Sequence, residues 1–288
     1  MDARLRAVAA FAGGFTRKYR MRDIAVEVCC MPGVRYEKQD SVGHIVLDRP
    51  PANSYDKAFL DELSSAIDEA RFDNGCKAIV VRSASEKFFS AGADVKMFAS
   101  SDADYQFAFV VHANEVMSKF ERTPKIVVVA INGHCLGGGL EIALCGDIRI
   151  ASEGTYNIGL PEVTLGVLPG TGGTQRLPRL IGRQRALEIM IRGSSVPPAR
   201  AKELGIVDEV VPAADLSARA HQMASFFATG PTLAIGQIKF ATVQGSGMPF
   251  ADGMLLEHAA VGRLFASEDF KEGVKAFSEK RKPEYKGR

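Results

Sequence analysis

Residues 130–162 read AINGHCLGGGLEIALCGDIRIASEGTYNIGLPE, and this stretch decides how the rest of the chain is read. It opens in an apolar run, Ile126–Ile131, whose Val and Ile content predicts a buried strand. Three successive glycines follow, Gly137, Gly138 and Gly139, and then a carboxylate, Glu141. A second carboxylate, Glu162, comes after Gly159, Leu160 and Pro161. Glycines at a turn let backbone N–H groups approach a ligand oxygen, and a helix start behind them adds unpaired donors and positive partial charge. Two carboxylates in a largely apolar site can have their pKa values pushed apart, so that one takes a proton from water and the other gives one. The stretch therefore asks for a substrate with an oxygen to polarise and a carbon to protonate.

Outward from this stretch, strands alternate with helices. Residues 34–38 and 44–48 predict two short strands around Gly43, a hairpin signal. Pro50 and Pro51 make residues 49–53 a loop. Residues 56–72 place Phe59, Leu60, Leu63 and Ile67 on one face of a helix. A short buried strand at 78–82 follows, then a turn into a helix at 88–96, and a longer helix at 104–122 that ends before Thr123-Pro124. Beyond the glycines the pattern predicts a helix at 139–145, a strand at 148–151, a helix at 174–181 despite Pro178, and a last strand at 207–211. After Pro212 only helices are predicted, at 216–229, 233–243 and 250–265, ahead of a charged tail, EKRKPEYKGR. Alternating strands and helices argue for an α/β layered core with strands covered on both faces. A helical region of roughly 60–75 residues buries its apolar faces poorly alone, so it is expected to pack on the core or on another subunit.

Composition narrows the class. With 46% hydrophobic and 24% charged residues, the 288-residue chain suits a soluble globular protein. A formal net charge of +2 indicates no general attraction to nucleic acid. The charge is uneven: residues 1–22 hold six Arg or Lys and one acid, leaving 30 basic against 33 acidic residues in the body. The five cysteines form no C-x-x-C pair, which fits reduced thiols in a reducing compartment. No apolar run approaches the roughly 18–20 residues of a membrane span. The basic start reads as a disordered extension, or as a start upstream of the true one at Met21 or Met31, and the chain as cytoplasmic and bacterial. An organelle transit peptide is the alternative, with a mitochondrial matrix location, although no serine precedes Ser41.

A second small-residue turn, Ala91-Gly92-Ala93-Asp94, resembles Leu136-Gly137-Gly138-Gly139 in preceding a helix. Two such turns converging would make an oxyanion hole. Taken singly, glycines also serve any tight turn, and Glu141 and Glu162 each suit the first turn of a helix. Lys96, Lys280 and Lys282 are phosphate-contact candidates whose ordinary place is solvated surface. There is no G-x-x-x-x-G-K-[ST], G-x-G-x-x-G or G-x-S-x-G motif. His134-Cys135 lacks further ligands at zinc spacing, so no metal is expected and His134 reads as structural.

These residues carry a family resemblance. FFSAGADVK (residues 88–96) resembles the first acyl-CoA-binding motif of the crotonase, or enoyl-CoA hydratase/isomerase, superfamily. INGHCLGGGLEIALCGDIRIAS (131–152) is similar to the second, and GLPEVTLGVLPGTGGTQRLPRLIG (159–182) to the third. AKELGIVDEVVP (201–212) and FSEKRKPEYKGR (277–288) also fit, so the likeness runs from about Val34 to the C-terminus. It implies an α/β spiral of ββα turns over residues 34–228, a helical trimerisation region over 229–288, and a hexamer built as a dimer of trimers, with residues 1–33 as an extension. It implies an acyl-CoA thioester substrate and no cofactor. Matched residue by residue, the N–H groups of Ala93 and Gly138 would hold the thioester oxygen. Ala91, Asp94, Val95 and Lys96 would lie near the CoA adenine and pantetheine. Lys280 matches a tail lysine that approaches the CoA phosphate of a neighbouring subunit. Glu141 would activate water toward C3 and Glu162 would protonate C2. With both acids present, the resemblance implies hydration of a 2-enoyl-CoA to 3-hydroxyacyl-CoA in fatty-acid or branched-chain breakdown. The GGTQRLPR and tail segments also resemble methylglutaconyl-CoA hydratases. The alternatives are 3-enoyl-CoA isomerisation and a non-catalytic acyl-CoA- or RNA-binding homologue. One departure stands out: RPPANSYDKAF (49–59) puts Tyr55 and Asp56 where the family has small or apolar residues, which leaves substrate choice open.

Overall fold

Two strands open the fold as an antiparallel pair, Val34–Gln39 (β1) and Val42–Leu47 (β2). The computed structural model describes residues 33–288. The turn between β1 and β2 is Asp40-Ser41, with Asp40 at φ 53, and not Gly43. Asp tolerates the left-handed region, so the turn needs no glycine. Gly43 lies inside β2 for a different reason, since a methyl group there would stand 2.7 Å from the Tyr36 ring.

From β2 the chain builds two sheets in step. The larger has strand order β1-β2-β3-β5-β7-β10, with Ala78–Ser83 (β3), Ile126–Ile131 (β5), Ile148–Ser152 (β7) and Glu209–Val211 (β10) all parallel. The smaller joins Phe88–Ser90 (β4), His134–Leu136 (β6), Ile158–Gly159 (β8) and Ser195–Val196 (β9). After β3, β5 and β7 the chain crosses to β4, β6 and β8, and then returns through helical segments. This repeated ββα path is the spiral that the family motifs imply. The strands of the smaller sheet have only two or three residues, too few to show a period of two, and the sequence pattern does not reveal them.

The unbroken Val and Ile runs of the larger sheet follow from burial on both faces. Ile79, Val81, Val127, Val129 and Ile131 join the main core with helices Lys57–Phe72 (α1) and Ala103–Arg122 (α3). Their neighbours Ala78, Val80, Val128 and Ala130 point the other way, onto Leu216, Ala220 and Ala224 of Leu216–Ala228 (α8). Successive strand side chains alternate between faces, so both sets must be apolar. Asp56 caps α1 by accepting from Phe59 N–H at 3.0 Å, and Pro178 is carried inside Gly173–Ile181 (α5). Arg183–Arg192 (α6) and Pro198–Leu204 (α7) add helices beyond the sequence reading.

The last helices are Thr232–Gly245 (α9), Phe250–Phe265 (α10) and Glu268–Ser278 (α11). Buried Lys239 ties α9 to the core, donating to Phe120 O (2.8 Å), Lys125 O (3.0 Å) and Asp147 Oδ2 (2.7 Å). Several large apolar side chains here face outward, Phe250 (84% exposed) and Phe277 (87%) most of all. The charged tail folds back on α11, with the N–H groups of Lys286 and Gly287 donating to Asp269. Among the described residues no helix is long and apolar enough to cross a membrane. The extension and transit-peptide expectations fall on residues 1–32, outside the described residues.

Candidate active site

Both small-residue turns leave the ends of neighbouring parallel strands. β4 ends at Ser90 and β6 pairs with it through Cys135, so the segments after them start side by side. Gly92 (φ 87) and Gly137 (φ 56) make the turns in backbone regions that favour glycine. A methyl group on Gly92 would stand 2.7 Å from Gly138 N, and one on Gly139 would overlap Ser90 O. The backbones therefore touch, and only glycine fits between them. Gly138 begins the helix Gly138–Leu144 (α4). Neither Ala93 N–H nor Gly138 N–H donates to a described protein atom, so both remain open to a ligand oxygen.

The remaining residues of the first turn are ordered by local bonds. Ala91 N–H donates to Ala52 O (2.9 Å). Asp94 caps the short helix Val95–Ala99 (α2), accepting from Lys96 N–H at 2.8 Å. The Val95 and Lys96 side chains are exposed. Lys280 sits beyond α11 at φ 54, and no hydrogen bond or ion pair joins it to residues 91–96.

Glu141, on α4, is 2% exposed. Its Oε1 accepts from Thr171 N–H (2.8 Å) and Gly173 N–H (2.7 Å), and its Oε2 accepts from Thr171 Oγ1. A carboxylate has about four acceptor sites, so one remains on Oε2. Burial holds Glu141 above the usual carboxylate range, and the three donors oppose that shift. The loop supplying them is itself held: Arg176 donates to Thr171 O (2.9 Å) and makes a two-pronged pair with Glu121 (2.8 and 2.7 Å).

Glu162 begins a single 3-10 turn, Glu162–Leu165, separated from β8 only by Leu160 and Pro161. Its carboxyl oxygens are buried and have no hydrogen-bond partner among the described residues. A methyl group on Gly137 would stand 3.1 Å from Glu162 Oε1, which puts this carboxyl against the glycine turn. Burial, and then the nearby Glu141 charge, push Glu162 up to about 7. Two open N–H groups, a carboxylate with one free acceptor site and an acid that is still about half protonated at neutrality thus share one region. Such a set can polarise a carbonyl, take a proton from water and give one to carbon.

The family model described as enoyl-CoA hydratase/isomerase matches residues 37–288. The chain belongs to the enoyl-CoA hydratase/isomerase family. An enoyl-CoA hydratase structure from Geobacillus kaustophilus HTA426 superposes with a TM-score of 0.86 at 42% identity, covering 89% of this chain and 97% of that one. The short-chain-enoyl-CoA hydratase of Clostridium acetobutylicum is 35% identical over 86% of this chain and 95% of its own length. The crotonyl-CoA hydratase of Syntrophomonas wolfei is 34% identical over 86% of this chain and 96% of its own length.

Family motifs alone do not single out Thr171, Arg176 or the function of Tyr55. Thr171 and Arg176 lie within the third motif, but their hydrogen bonds to Glu141 and Glu121 span 30 and 55 residues. Tyr55 is visible in the sequence only as a departure. The structure buries its ring completely, and a methyl group on Gly138 would overlap its hydroxyl. His134 accepts from Asn157 N–H through Nδ1 (3.2 Å), a structural contact.

Proposed function

We propose that the protein is an enoyl-CoA hydratase that adds water across the 2,3 double bond of a 2-enoyl-CoA thioester. The thioester oxygen lies on Ala93 N–H and Gly138 N–H, which stabilise the negative charge that grows there as C3 is attacked. Glu141 takes a proton from the attacking water through its free acceptor site. The remaining hydroxyl bonds to C3, and Glu162 gives its proton to C2. Both carboxylates border the glycine turn, so oxygen and hydrogen arrive on the same face. Water, a proton and a polarised carbonyl suffice, and the reading requires no cofactor. The observation that carries it is the Glu162 carboxyl, buried against Gly137 with no partner among the described residues and pushed up to about 7, so that about half of it still carries its proton at neutrality.

Ala91, Asp94, Val95 and Lys96 border the path of the CoA moiety. Lys280 makes no hydrogen bond to that turn in its own chain, which suits a contact made with a neighbouring subunit. The outward apolar side chains of α9–α11 support residues 229–288 as the oligomerisation region of a dimer of trimers. Light scattering is expected to give six times the chain mass, and a monomer at micromolar concentration would refute this assembly.

The test of the reaction is a turnover screen over short, long and branched 2-enoyl-CoA thioesters in labelled water. The expected product is a 3-hydroxyacyl-CoA carrying one solvent oxygen. Double-bond migration without solvent oxygen would replace hydration by isomerisation. Binding of CoA thioesters with no turnover would make the chain a non-catalytic homologue.

A further inference from the structure

Tyr55 is fixed to the oxyanion turn by its backbone, and its side chain reaches Gly138 and Thr171, the residue that donates to Glu141. Tyr55 N–H donates to Gly92 O (2.9 Å) and Asp94 N–H donates to Tyr55 O (2.9 Å), so the residue pairs alongside Ala93 as a one-residue parallel bridge. Tyr55 is 1% exposed; its ring stacks against Phe109 (6.1 Å) and also packs near Phe59 (6.4 Å). That packing leaves the hydroxyl little freedom, and its position against Gly138 is set by the ring.

The hydroxyl is poorly satisfied where it lies. Its one partner among the described residues is Thr171 Oγ1 at 3.4 Å, long against the roughly 2.7–2.8 Å usual for O–H···O. The Thr171 proton is already committed to Glu141 Oε2, so Thr171 can only accept from Tyr55. Burial, and then the Glu141 charge, raise the phenol well above its ordinary value, so it remains a donor at working pH. A buried donor with one weak partner is uncommon, because buried polar groups are generally paired. Across the same region stand one free acceptor site on Glu141 and the oxygens of Glu162, which have no partner among the described residues.

We propose that Tyr55 is a catalytic residue whose hydroxyl donates a hydrogen bond to the oxygen being added at C3. This rests on the hydratase reading and extends it. A water molecule has two protons and two lone pairs in tetrahedral array. Its protons point to Glu141 and Glu162, one lone pair accepts from Tyr55, and the other is left facing C3. The four directions are all assigned, and the third anchor fixes the attacking lone pair. After addition the same hydroxyl donates to the 3-hydroxyl oxygen of the product. A tyrosine here, in place of the family's small or apolar side chain, thus gives the site affinity for thioesters that carry an oxygen on C3.

Tyr55→Phe tests this, because it keeps the ring and its packing and removes only the O–H. The probes are acetoacetyl-CoA, which has an oxygen on C3 and no 2,3 double bond to hydrate, and butyryl-CoA, which has none. By calorimetric titration the variant is expected to bind acetoacetyl-CoA about five- to tenfold more weakly, the effect of one hydrogen bond, and butyryl-CoA within about twofold of the wild type. Crotonyl-CoA hydration should lose about tenfold in kcat with KM within about twofold, because the enoyl substrate has no oxygen at C3 to hold. Equal weakening of both probes, or no weakening of either, overturns the proposal and makes Tyr55 a packing residue. If the wild type hydrates crotonyl-CoA and the probes shift together, Tyr55 alone is refuted. If the wild type hydrates nothing while only acetoacetyl-CoA weakens, the C3-oxygen contact stands and the hydratase reading falls.

Discussion

The loop that receives Glu141 and the turn that carries Glu162 treat two carboxyl groups in opposite ways. At residues 170–173 the backbone presents two N–H groups and Thr171 its hydroxyl, all to Glu141, and Arg176 braces the loop from behind. At residues 159–165 nothing among the described residues donates to Glu162, although its oxygens too are shut off from solvent. Donors favour the charged form of a carboxyl, and burial without donors favours the neutral form. The difference teaches that two identical side chains near one another meet opposite surroundings, which is why Glu141 is proposed as the base and Glu162 as the acid.

Abolishing either member gives the largest effect. Glu141→Gln and Glu162→Gln should each lower the hydration rate by roughly two to four orders of magnitude, read as kcat/KM on crotonyl-CoA. Full activity in either variant breaks the division of labour. Weakening only the Glu141 side should cost less. Thr171→Val keeps the shape and removes one charge-assisted donor, and kcat is expected to fall roughly ten- to a hundredfold. The smallest effect is on stability. Glu162 has a folded pKa of about 7 against an ordinary value of 4.5, so the stability linked to it is present below about 4.5 and lost as pH rises through about 7. The melting temperature of the wild type should therefore drop between pH 5 and 8 by a few degrees more than that of Glu162→Gln. Parallel melting curves against pH would mean that Glu162 is not buried in its charged form.

Part of this was legible in the sequence because it is local. The turns at Ala93 and Gly138 are written in runs of small residues ahead of helices, and Glu141 follows its turn by three positions. The long strands announce themselves through apolar runs. What is not legible is made by distant parts of the chain. Thr171 meets Glu141 across 30 positions and Tyr55 across 116, and no periodicity carries such contacts. β8 and β9 have two residues each, too short for a pattern, although β8 sets where Glu162 begins its turn. Gly43 misled because glycine marks both turns and tight packing, and here it packs under Tyr36.

The most direct test of the acid–base assignment is kcat/KM for crotonyl-CoA measured against pH in the wild type and in Glu162→Gln. The wild-type rate should fall as pH rises through about 7, where Glu162 gives up the proton that it must deliver. It should also fall on the acid side, where Glu141 takes a proton and can no longer receive one from water. In Glu162→Gln the residual rate should lose the fall near pH 7 and keep the acid limb. A wild-type rate that stays level well above pH 7, or the same descending limb in the variant, would contradict the account.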